Sequence, residues 1–63
     1  MTTNAPNAPV AVVEGPKGTA EIYEIFNPGQ PLVYQVKFGG KVIDYKSLGE
    51  AYVDAGTMAG TKT

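Results

Sequence analysis

The chain has 63 residues and a formal net charge of −1, with five lysines, no arginine and six acids. That length allows one domain with a small core, and the charge lacks the positive excess that phosphate contacts require of a small nucleic-acid binder. With neither cysteine nor histidine, disulfides are excluded, and so are the usual zinc and haem ligand sets. Self-association is then the simplest remaining way to add to so small a core.

Residues 1–9, MTTNAPNAP, are small, polar and punctuated by proline, and cannot bury enough apolar surface to offset their ordering entropy. They are expected to form a flexible arm. The N-terminal stretch has no basic region and its longest apolar run, residues 10–13, is four residues. It reads as neither a signal peptide nor a membrane span, so a cytoplasmic protein is expected.

Val10, Val12 and Val13 form a β-branched patch ahead of Gly15-Pro16-Lys17-Gly18, a turn by composition. Residues 19–27, TAEIYEIFN, are rich in strand formers and bounded by Gly18 and Pro28-Gly29. Residues 32–38, LVYQVKF, alternate apolar and polar. Gly39-Gly40 follows, with positive φ expected at both positions in a type I′ hairpin. Residues 41–47 return from it, and Ser47-Leu48-Gly49-Glu50 has the form of a capping box. A helix should start at Leu48, carry Leu48, Ala51, Tyr52 and Ala55 on one stripe, and stop at Gly56, leaving residues 57–63 as a frayed tail.

A two-residue turn at Gly39-Gly40 sets Phe38 against Lys41, Val36 against Ile43 and Tyr34 against Tyr45. Leu32, Tyr34, Val36, Phe38, Ile43 and Tyr45 then share the core face, while Val33, Gln35, Lys37, Val42, Asp44 and Lys46 share the other. For the preceding hairpin, a five-residue loop at 27–31 pairs Phe26 with Leu32 and Ile22 with Val36, and puts Glu21 beside Lys37. It is preferred to a four-residue loop because it buries Ile22 and Phe26, at roughly 1.5–3 kcal/mol for each fully buried side chain. The expected fold class is α+β: a three-stranded antiparallel meander with one C-terminal helix on one face, all within residues 10–56. Pairing of residues 10–14 through the Gly-Pro-Lys-Gly turn would add a fourth strand at an edge, where Val10, Val12 and Val13 either fold under the body or form an association edge.

Catalysis is not expected. Nucleophilic mechanisms lack their base, the glycines do not form a phosphate loop, and no Asp-x-Asp spacing suits Ca²⁺ or Mg²⁺. Glu24 near Tyr34 and Tyr45 is the one constellation with acid–base character, and a tyrosine-bonded carboxylate at the sheet margin accounts for it. No cofactor or metal site is expected. The outer face carries Tyr23, Ile25, Val33 and Val42 among Gln35, Lys37 and Lys46, a composition typical of contact surfaces. The expectation is a non-enzymatic binding module whose partner is another protein or its own copy as a homodimer. Such a chain suits a small accessory protein of the kind that phages and mobile elements encode.

In outline, three antiparallel strands backed by a C-terminal helix, over residues 19–56, resemble the small DNA-binding domains of the integrase arm-binding kind. The resemblance implies a sheet laid in the major groove, with Tyr23, Gln35, Lys37 and Lys46 as reading residues. Glu21 and Asp44 share that face and repel phosphate, which ranks nucleic acid behind protein as the partner.

Overall fold

A computed structural model describes residues 8–61. Four strands, β1 (Ala11–Gly15), β2 (Gly18–Ile25), β3 (Val33–Phe38) and β4 (Lys41–Tyr45), form one antiparallel sheet in the order β1-β2-β3-β4, followed by helix α1 (Leu48–Ala59). The α+β meander is therefore four-stranded. The conditional fourth strand forms through the tight Pro16-Lys17 turn, which sets Gly15 opposite Gly18.

The side-chain parity expected from the diglycine turn is observed. Tyr34 pairs with Tyr45, Val36 with Ile43 and Phe38 with Lys41. Within this turn, positive φ is confined to Gly39, at 59°, with Gly40 outside the left-handed region. That is the pattern of a type II′ turn and not the expected I′. Both are two-residue connections, so the register is the same.

Beneath α1 the core consists of Val13, Ala20, Ile22, Val36, Ala51, Ala55 and Ala59, with Ala11, Tyr34, Phe38, Tyr45 and Met58 packed around it. Among the described residues, only Ile22 and Val36 are large and fully buried. The helix contributes an i, i+4 stripe of alanines, and such small side chains bring its backbone close to the sheet. The expected stripe is therefore corrected: Ala51 and Ala55 are buried, but Leu48 and Tyr52 are exposed, and Gly56 and Ala59 take their places. A gap narrow enough for alanine has no room for a tyrosine.

Phe26 is a second correction. The expected β2–β3 register holds, with Ile22 opposite Val36 and Glu21 opposite Lys37, but the strands part after Ile25 and resume at Val33. Phe26 is 71% exposed. It lies four residues beyond Ile22, about 13 Å along the strand, where the helix no longer covers the sheet and Glu24 is already exposed. Leu32 and Ile43, assigned to the core face, are each 37% exposed: Leu32 precedes β3, which begins at Val33, and α1 packs mainly on β1, β2 and β3 and least on β4, which carries Ile43.

The helix starts at Leu48 as expected, with the Ser47 hydroxyl accepting from the Glu50 N–H at 3.2 Å. It does not stop at Gly56. It runs to Ala59, so residues 57–59 are helical and not a frayed tail, and Gly60 at φ 85° ends it. Gly60 N–H donates to the Thr57 carbonyl and Thr61 N–H to that of Gly56, the pairing of a Schellman motif. The arm expected at residues 1–9 lies mostly outside the described residues, as do residues 62 and 63.

Candidate interaction face

The sheet has one covered side and one open side. On the open side the paired strands arrange side chains in rows. Nearest the β1–β2 turn Glu14 pairs with Thr19; the next row runs Val12, Glu21, Lys37, Val42 from β1 to β4; the one after holds Tyr23, Gln35 and Asp44; the last pairs Ile25 with Val33. Of the expected binding residues, Tyr23, Ile25, Val33, Gln35, Lys37 and Val42 therefore lie on one surface. Lys46 falls just past the end of β4 and is exposed there. Val42 is 54% exposed, and Val10 and Val12 are exposed to similar extents. Val13 is removed from the candidate association edge: its alternate parity turns it under the helix, where it is buried.

Around Tyr23 the polar groups on this face are engaged with one another. The Tyr23 hydroxyl donates to Glu21 Oε1 at 2.8 Å, and the Lys37 ammonium sits 4.9 Å from the centroid of the Tyr23 ring, within cation–π range. The Glu21 carboxylate, by accepting the phenol proton, holds Tyr23 above the usual tyrosine range. Gln35 Nε2 donates to Asp44 Oδ1 at 3.2 Å. Beside them stand the aliphatic side chains of Val12, Ile25, Val33 and Val42, with Glu14 and Thr19 exposed toward the β1–β2 turn. The register makes Tyr23 and Lys37 diagonal neighbours, so their contact follows from the strand pairing although the two do not face each other directly.

No family model, curated protein or solved structure matches this chain. The outline shared with sheet-reading DNA-binding domains therefore gains nothing from the comparisons, and β1 adds a strand to it.

The opposite side holds a groove that the sequence did not announce. Tyr45, Gly49, Glu50, Val53 and Asp54 line an open depression of about 600 Å³ between β4 and the first half of α1. Burial of the Tyr45 phenol, with the Asp54 and Glu50 carboxylates beside it, pushes its pKa up to about 12. Glu24, the candidate acid–base residue, is exposed at the sheet margin and accepts from the Tyr34 hydroxyl at 3.5 Å, the outer limit of a hydrogen bond. Among the described residues, no group of three or more acids is placed to hold a metal ion, and no helix is long and apolar enough to cross a membrane.

Proposed function

We propose that this chain is a non-enzymatic protein-contact module of the cytoplasm that binds through the open face of its sheet. The observation that carries the reading is the division of labour on that face. The charged and polar side chains near Tyr23 are tied to one another, while Val12 and Val42 stand exposed and Ile25 and Val33 half-exposed beside them. A lysine held over a tyrosine ring, with carboxylates at Glu21 and Asp44 on the same surface, is a poor phosphate reader. Aliphatic groups around an aromatic anchor with a few oriented charges suit a protein surface.

Site-specific photo-cross-linking in the cell tests this. A photoreactive side chain at Val42 should give a covalent adduct with a protein, and the same group at Thr57, exposed on the helix, should not. Equal labelling from both positions, or an adduct with nucleic acid at Val42, would overturn the reading.

A further inference from the structure

We infer that the partner of the open face is a second copy of this chain, packed face to face about a two-fold axis that runs along the strand direction between β2 and β3. The inference rests on the contact-face reading above and supplies its occupant.

The argument comes from the order of side chains across the sheet. The central row reads Val12, Glu21, Lys37, Val42, so it is aliphatic, acidic, basic, aliphatic. A two-fold axis along the strands reverses that order in the opposing copy. Val12 then lies over the partner's Val42, and Glu21 over the partner's Lys37, each contact occurring twice. The four charges form an alternating square. In the neighbouring rows Tyr23 meets the partner's Gln35, and Ile25 meets the partner's Val33.

Other two-fold arrangements do worse. An axis across the strands, centred on this row, sets Glu21 on the partner's Glu21 and Lys37 on the partner's Lys37, and like charges in a contact cost several kcal/mol. Shifting that axis to lie between rows faces Val42 with the partner's Asp44 and leaves both central charges without an opposite across the interface. Edge-to-edge pairing is also disfavoured. Pro9 and Pro16 flank β1, and Lys41, Asp44 and Lys46 mark β4 and its end, which are devices that blunt sheet edges.

Twist brings two such sheets together at about 30°, so facing positions diverge with distance from the axis. The Glu21–Lys37 contacts lie nearest the axis and are least disturbed, which places the specificity at the centre. Three interstrand gaps of about 4.8 Å and strands of about six residues give a face of order 300–400 Å² per copy. This is smaller than the roughly 800 Å² per partner of a standard interface, so the dimer should be weak and exchange its subunits readily.

Sedimentation equilibrium over a wide concentration range, with circular dichroism as a check on folding, tests the pairing. The wild-type chain should dimerise reversibly. Glu21→Lys and Lys37→Glu should each weaken dimerisation about tenfold or more, because each sets like charges in contact twice. An equimolar mixture of the two variants should associate again, since every contact between unlike chains is then Lys against Glu. The doubly exchanged chain, E21K with K37E, should dimerise by itself, and it decides the matter if either single variant fails to fold. A monomeric wild type would overturn the inference, as would a dimer indifferent to both single variants or a mixture and exchanged chain that stay monomeric. In each of those cases a protein adduct at Val42, confined to that position, would leave the contact-face reading standing with another occupant.

Discussion

Tyr45 shows what the fold does to an ordinary side chain. Its pKa is pushed up to about 12 by burial, with Asp54 and then Glu50 adding to the shift, against about 10 for a free tyrosine. A phenol whose folded pKa lies above its unfolded value contributes stability that is fully present below about pH 10 and lost as pH rises through about 12. Phenolate absorbance should show a late step near pH 12 that Tyr45→Phe removes. Persistence of that step in the variant would show that the groove does not set this pKa. Nothing in the sequence pointed to it, because it depends on α1 bringing Glu50 and Asp54 over the end of β4. The Ser47 cap, by contrast, was legible, since a serine followed three residues later by an acid before a helical run acts through its own backbone.

At the scale of elements, the β1–β2 turn and the end of α1 hold each other. Lys17 N–H donates to the Ala59 carbonyl at 2.9 Å, giving a helix-terminal acceptor the partner it would otherwise lack. At the same junction Gly15 has no room for a side chain: a Cβ there would overlap the Ala59 carbonyl oxygen and come within 2.6 Å of Thr61 Cγ2. Gly15→Ala should thus separate the hairpin from the helix and destabilise the protein by about 1–3 kcal/mol, in the range of overpacked sites. Denaturant unfolding measures it, and a loss under about 0.5 kcal/mol, the size of an ordinary surface substitution, would mean that the junction yields without cost. Composition marked Gly15 as part of a turn and could not show what lies above it. The same limitation moved the helix end. Gly56 and Gly60 are equally able to terminate a helix, and the choice falls on Gly60 because Gly56 is buried on the sheet side. Periodicity likewise placed Leu48 and Tyr52 on the buried stripe, whereas the close approach of an alanine ridge to the sheet excludes them.

Across the whole molecule, the strands and their register could be read in advance because the connection at Gly39-Gly40 admits two residues, and side chains alternate strictly from there. The reach of the helix could not. Beyond the cover of α1, Phe26 and Ile43 are exposed despite their apolar character, and among the described residues only Ile22 and Val36 are large side chains fully enclosed. Such a core leaves little reserve of stability, which is a reason for the open face to find cover. The Glu21–Tyr23–Lys37 arrangement on that face joins two neighbouring strands, so it exists only once the register is set. A dilution series of the isotope-labelled protein, followed by amide chemical shifts, tests the contact between copies most directly. Shifts should change with concentration at Tyr23, Gln35, Lys37 and Val42, and remain fixed at Tyr52 and Val53 on the helix. Concentration-dependent shifts on the helix, with those four residues unmoved, would contradict the account.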